Sequence, residues 1–273
     1  MSSSYKQRSK IKFEIKDVLI GLLLIVLLSN SLFAVSIMYQ RENAYSIPKG
    51  VQTLINAYPD MGFNYSNNFV IFKDGTAIKY DDRKEKTYLE KLDDCDIEDM
   101  FKETYDRSVI LPPYLYDPGR YRCEAFFNKM YGANEATVIT NLKPVKIFGR
   151  KFNVTKVNGV NEKLQKVAEE VEKHPEFKKY FVKNAGSFNY RKVRGSNRLS
   201  AHSYGIAIDI NSHESDYWRY SNNVTEIDLV SYANRIPYAL VKIFEDNGFI
   251  WGGRWYHYDT MHFEYRPELL NTH

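Results

Sequence analysis

The sequence predicts an α+β domain, a small antiparallel sheet flanked by helices, behind an N-terminal transmembrane helix. Residues 205–210 and 261–265 alternate between two kinds of side chain, as strands do. Apolar residues spaced three and four apart predict helices in 161–174 and 237–247. An apolar run over 18–38 carries no charge and is long enough to cross a bilayer as a helix. These patterns define the predicted class.

The N-terminal region predicts a membrane anchor. Residues 1–17 form a basic tail with five Lys and Arg residues, and basic residues stay in the cytoplasm. The helix 18–38 would then contact the lipid bilayer, and residues 39–50 would form a tether ending near Pro48 and Gly50. A cleaved signal peptide is the alternative, but the run is long for one and lacks a clear small-residue cleavage site. We expect a single-pass cell-membrane protein whose C-terminal domain lies outside the cytoplasm.

Residues 51–150 are predicted to form the N-terminal part of the external domain. Val51 to Tyr58 has the pattern of a short helix. Phe69 to Tyr80 predicts two strands joined at Asp74 and Gly75, a hairpin turn signal.

The next segment, Asp81 to Tyr105, is highly charged, which is typical of a solvent-exposed helix or loop. Cys95 and Cys123 are the two cysteines of the chain. In an exported domain they could form a disulfide. Neither their spacing nor their surroundings shows that they meet.

Residues 151–273 contain both predicted core helices. Asn161 is expected to cap the first, and His174 and Pro175 to end it. Its buried face would hold Leu164, Val167, Ala168 and Val171. The second starts at Pro237 and would bury Leu240, Ile243 and Phe244 before stopping at Asn247 and Gly248. Trp251, Gly252 and Gly253 are then predicted to turn the chain into its last strand.

The stretch SAHSYGIAIDIN, residues 200–211, contains two candidate metal ligands. His202 and Asp209 are seven residues apart, so in an unbroken strand they would face opposite sides. They converge only if the backbone bends between them, and Gly205 is well placed for the bend. His and Asp both bind zinc, but two ligands do not make a site.

The stretch HYDTMHFEY supplies the third candidate, His262. Two His and one carboxylate with an open fourth position form a catalytic zinc site. Asp259, three residues earlier, could lie over the site as the free carboxylate that deprotonates water.

Together these motifs resemble the zinc peptidases of bacterial cell-wall peptides. That family includes the VanY-type D-alanyl-D-alanine carboxypeptidases and the L-alanyl-D-glutamate endopeptidases. The pattern SxHxxGxAxD followed by a distant DxxHFE carries the resemblance, through His202, Asp209, Asp259 and His262. It implies the Hedgehog/DD-peptidase fold, one Zn²⁺ held by the two His and Asp209, and a peptidoglycan stem peptide as substrate.

The resemblance also implies roles for the other residues. Asp259 would take the proton of the attacking water. An Arg ahead of the first His would stabilise the oxyanion or hold a substrate carboxylate. Arg191 is the preferred candidate, and Arg198 remains open. Two further residues are interpreted from their position in the chain and not from the resemblance. His257 matches no ligand position and could orient substrate or support a ligand, and Glu264 is interpreted as a supporting carboxylate rather than the base.

The scissile bond stays open between L-Ala-D-Glu and D-Ala-D-Ala. Asp259 favours the endopeptidase, because the carboxypeptidase branch tends to have Glu at that position. Two other classes compete: a non-catalytic wall-binding module, which an intact Asp259 argues against, and a structural envelope protein. The net charge of +4 and the lack of a basic and aromatic stripe give no sign of nucleic-acid binding.

Overall fold

The computed structural model describes residues 26–31, 47–182, 185–220 and 224–270, and the chain divides into two units after Ile47. In the first unit, 26–31 is helical. No helix among the described residues is both long and apolar enough to span a membrane. The predicted basic tail lies outside the described residues, as does the predicted anchor 18–38 apart from 26–31.

The second unit begins at Pro48 and confirms the α+β prediction. Its α-helices are α1 (Lys49–Ala57), α2 (Tyr88–Asp93), α3 (Glu124–Tyr131), α4 (Glu135–Ile139), α5 (Val160–Val171), α6 (Tyr238–Glu245) and α7 (Pro267–Leu270). Its strands are β1 (Asn64–Ser66), β2 (Phe69–Ile71), β3 (Ala77–Lys79), β4 (Leu142–Ile147), β5 (Arg150–Thr155), β6 (Ala207–Asp209), β7 (Phe249–Trp251) and β8 (His262–Tyr265). Short 3₁₀ turns connect many of them, including Ala201–Tyr204 and Gly252–Arg254.

The strands of the second unit form three small antiparallel sheets in the described residues, ordered β1-β2-β3, β4-β5 and β6-β8-β7. The predicted hairpin at Asp74 and Gly75 joins β2 to β3, and Gly75 has a φ of +84°. In the third sheet β8 is central, and it places Asp209 opposite His262. This register brings two candidate ligands to neighbouring positions on one sheet face.

The two predicted core helices pack against each other, α5 on strands β4 and β5 and α6 on strand β7 of the third sheet. Helix α5 buries Leu164, Val167, Ala168 and Val171, as predicted, and α6 buries Leu240 and Phe244. The Phe244 ring stacks on Phe263 of β8 with centroids 3.9 Å apart. Burying one such aromatic ring contributes roughly 1.5–3 kcal/mol. The packing holds β8, and with it His262, against the helical layer.

Some local predictions were wrong. The helix α5 starts at Val160 with Gly159 at its N-cap, so Asn161 lies inside the helix rather than capping it. Ile243 is only partly buried. Strand β6 starts at Ala207 and not at Gly205, because Gly205 ends the preceding 3₁₀ turn in a left-handed conformation. Trp251 belongs to β7 and not to a turn.

The charged segment 81–105 is not only a solvent-exposed segment, because part of its charge is buried. It contains helix α2, which Thr87 and Glu90 begin with reciprocal capping hydrogen bonds. The Lys86 ammonium is buried and lies 2.6 Å from Asp99 and 3.2 Å from Asp96. Composition alone did not distinguish this internal ion cluster from a solvated charge run. Cys95 and Cys123 are free thiols.

Candidate metal centre and its pocket

His202 is positioned by a short turn that ends at glycine. Residues Ala201–Tyr204 form a 3₁₀ turn, with the Ser200 hydroxyl accepting a hydrogen bond from the His202 amide. Gly205 then adopts φ +68°, a conformation that glycine takes without a Cβ penalty. The chain reverses direction there and enters β6. The bend expected between His202 and Asp209 is therefore present, as a turn rather than a strand bulge.

Three ligand atoms meet at one face of the third sheet. His202 Nε2 lies 3.1 Å from Asp209 Oδ1 and 3.2 Å from His262 Nδ1, and His262 Nδ1 lies 3.1 Å from Asp209 Oδ1. A tetrahedral Zn²⁺ with ligand bonds of ~2.0–2.1 Å separates its ligands by roughly 3.3 Å. The triangle therefore has the size of one face of a zinc tetrahedron. His202, Asp209 and His262 form a group that could hold a metal ion.

Each ring has a second partner that leaves the ligand nitrogen available. His202 Nδ1 lies 2.7 Å from the Ser187 carbonyl oxygen, an acceptor, so Nδ1 carries the hydrogen and Nε2 keeps its lone pair. His262 Nε2 lies 3.4 Å from Glu264 Oε2, which leaves His262 Nδ1 for the metal. Glu264 is held in turn by Arg266, 3.2 Å away. The supporting role predicted for Glu264 matches this contact.

The charges around the ligand triangle are those of a negatively charged site that binds cations. Burial lowers the pKa of His262, but hydrogen bonds to Asp209 and Glu264 outweigh it and raise the value to about 10. Burial opposes ionisation of Asp209, yet the two histidines hold its pKa well below the usual range. Since a metal must compete with a proton for His262, metal binding is expected to release protons and to weaken as pH falls.

Asp259 lies in the same pocket without joining the ligand triangle. The pocket is lined by His202, Asp209, Asp259 and His262 among others. Asp259 Oδ1 is buried and has no hydrogen-bond partner within the described residues. Burial, followed by the charge of Asp209, raises the pKa of Asp259. A carboxyl group with one buried oxygen and a raised pKa, beside the candidate ligand triangle, has the character of a general base.

The two arginines considered from the sequence occupy different places. Arg191 lines the pocket, and its backbone is tied to Ser203 Oγ by hydrogen bonds of 2.9 Å and 2.7 Å. Arg198 is not among the residues that line it, and its Nε lies 3.3 Å from Asp93 Oδ1. Burial and nearby Arg122 and Arg120 lower the pKa of Arg198 to about 10.

Sequence reasoning missed the pocket wall contributed by residues 117–122. Arg120 and Arg122 line the pocket, and Arg122 Nη1 lies 3.6 Å from Glu264 Oε2, beside the ligand His262. Asp117 binds His257, another lining residue. The closely spaced arginines in GRYRC were the available signal. Nothing local to that segment indicates that it folds against residues more than 80 positions away.

Comparison with known proteins agrees with this site. Residues 194–265 match the family model described as D-alanyl-D-alanine carboxypeptidase. The match contains His202, Asp209, Asp259 and His262, and it confirms the resemblance seen in the sequence motifs. Neither the curated proteins nor the solved structures searched contain a match.

Proposed function

We propose that this chain hydrolyses the L-Ala-D-Glu amide bond of peptidoglycan stem peptides. The chain is a metallopeptidase, and its residues 194–265 match the family described as D-alanyl-D-alanine carboxypeptidase. Peptidoglycan peptidase activity follows from the family. The observation that carries the proposal at this site is the triangle of His202, Asp209 and His262, with edges of 3.1–3.2 Å.

The ligand triangle, Asp259 and Arg191 have separate roles in amide hydrolysis. Zn²⁺ bound by the triangle would supply Lewis acidity that favours ionisation of water and polarisation of a carbonyl. Asp259, with its unpartnered Oδ1, takes the proton of the attacking water and delivers it to the leaving amine. Arg191, at the pocket wall, donates hydrogen bonds to the oxygen on which negative charge develops.

The choice of bond rests on Asp259. The endopeptidase branch resembled by these motifs tends to have Asp at this position, where the carboxypeptidase branch tends to have Glu. The description of the matched family instead favours cleavage of D-Ala-D-Ala, so carboxypeptidase activity is the second candidate.

Digestion of purified peptidoglycan by the zinc-loaded protein separates the candidates. Mass spectrometry of the products is expected to show muropeptides cut after L-Ala, with new D-Glu amino termini. Release of free D-Ala, with the L-Ala-D-Glu bond intact, would instead establish the carboxypeptidase. An Asp259→Asn sample prepared in parallel controls for a contaminating hydrolase.

We also propose that the chain is held at the outer face of the cell membrane. Support comes from the sequence, in which an uncharged apolar run at 18–38 follows a basic tail. Such an anchor would place the peptidase unit beside its wall substrate.

A further inference from the structure

One wall of the pocket is a buried polar cluster centred on His257. The side chain of His257 is fully buried, and its Nδ1 lies 2.6 Å from Asp117 Oδ2. The other oxygen of Asp117 accepts a hydrogen bond of 3.0 Å from the His257 backbone amide. Tyr88 donates to Asp117 Oδ2 at 2.6 Å. Asp117 therefore fixes both the backbone and the ring of His257.

Aromatic contacts also hold the ring. Trp218 packs edge-on against His257 with centroids 4.5 Å apart, and Tyr88 stacks on it at 5.7 Å. Arg120 donates to Tyr88 and to Asp117 at 2.6 and 3.1 Å, and pairs with Glu226. The ring has fixed neighbours on several sides, and this cluster sets the direction in which its second nitrogen points.

That second nitrogen, Nε2, is buried and has no hydrogen-bond partner among the described residues. Glu226 Oε2 is 3.8 Å away, beyond hydrogen-bond range. Buried polar groups are almost always paired, so an unpaired one needs an explanation. Asp259 Oδ1 is also buried and unpaired, and both residues line the pocket that contains the metal triangle.

We propose that His257 is a further catalytic residue, whose Nε2–H donates a hydrogen bond to the oxygen of the amide that is hydrolysed, while Asp117 acts as its positioning residue by accepting from Nδ1–H. Both ring nitrogens then carry hydrogen. The arrangement explains why the ring is fixed at Nδ1 but unpaired at Nε2: bound substrate supplies the missing partner. This inference rests on the proposed function, because it assigns the amide to the same pocket.

The competing explanation is structural, in which His257 serves only to satisfy Asp117. Two substitutions separate the roles. His257→Asn keeps an amide near the position of Nδ1, and so keeps a partner for Asp117, but removes the group at Nε2. His257→Gln places its amide near the position of Nε2 and weakens the contact with Asp117.

The experiment measures the affinity of the zinc-loaded protein for a phosphinate pseudodipeptide, an uncleavable mimic of the tetrahedral state of amide hydrolysis. Calorimetry gives Kd for the parent and both variants, and hydrolysis of stem peptide is measured beside it. Metal analysis and thermal unfolding check zinc content and folding. His257→Asn is expected to weaken phosphinate binding by about tenfold or more, the scale of one hydrogen bond, and to weaken it more than His257→Gln does.

The outcomes are distinct. The proposal would be overturned if both variants bound the phosphinate with the affinity of the parent. It would also be overturned if both lost the same amount of phosphinate affinity, or if His257→Gln lost more than His257→Asn. Losses that follow zinc content or melting temperature would overturn it as well, because a structural role would then be sufficient. A parent that binds the phosphinate but cleaves no stem peptide would refute the proposed function, while the order of the two variants would still decide the contact. A parent that fails to bind the phosphinate would overturn the proposal too.

Discussion

Replacing Gly205 by Ala tests whether the left-handed turn between His202 and Asp209 builds the metal site. Gly205 has φ +68°, which costs a residue with a Cβ about 1–2 kcal/mol. The added Cβ would lie 2.8 Å from Leu142 Cδ2 and 3.0 Å from the Thr155 backbone nitrogen. The Leu142 side chain can rotate away, but the Thr155 nitrogen is fixed in the sheet and donates a 2.8 Å hydrogen bond to the Gly205 carbonyl.

Disturbing that hydrogen bond adds about 1 kcal/mol, so the Ala variant should lose roughly 2–3 kcal/mol of unfolding free energy. Since the turn also sets the position of His202, zinc affinity should fall with it. Gly149→Ala is the matched control. Gly149 has φ +80° at the turn between β4 and β5, with nothing within 4 Å of an added Cβ.

Urea unfolding of both variants, each with and without zinc, measures the two effects. The control should show only the conformational cost, about 1–2 kcal/mol, and unchanged zinc affinity. Equal destabilisation by the two substitutions, with zinc affinity unchanged in both, would refute the reasoning that close packing around Gly205 positions the ligand.

Four further predictions follow from the site and from the sequence. His262→Ala should lose most of the zinc and the activity, and stoichiometric zinc in the folded variant would contradict its role as a ligand. Asp259→Asn should keep zinc while turnover falls by ~10² or more; near-normal hydrolysis would show that another group activates water. Burial opposes ionisation of Asp117, but Arg120 and His257 lower its pKa to about 2 from 3.8, so this carboxylate contributes about 2 kcal/mol above about pH 4, lost as the pH falls towards 2. Asp117→Asn should therefore flatten the pH dependence of unfolding in that range, and an unchanged slope would count against the shift. Protease added to intact spheroplasts should digest residues beyond about position 41, whereas digestion only after lysis would reverse the topology.

Several features of the fold and of the candidate site could be predicted from local patterns in the sequence. The apolar spacing of Leu164 to Val171 determines a helix wherever the segment packs, because the period of its buried face belongs to the segment itself. Asp74 and Gly75 specify a hairpin turn for the same reason. The motifs around His202 and His262 contained the residues of the candidate metal triangle and carried the resemblance that the family model then matched over residues 194–265, since each motif combines a candidate ligand with the small residues that its turn and strand require.

The tertiary structure decided what depends on contacts between distant segments. The register that sets Asp209 opposite His262 follows from the pairing of β6 with β8, which the two motifs separately do not contain. The segment carrying Asp117, Arg120 and Arg122 forms a wall of the pocket because Gly119 packs against Ile250 of β7 and Arg122 pairs with Glu264 of β8, at sequence separations of more than 120 residues. Such pairings depend on the packing of the whole unit rather than on local period or turn chemistry. The sequence therefore determined which residues could bind the metal, whereas only the packed structure determined that His257 is held by Asp117 and presents an unpaired nitrogen beside them.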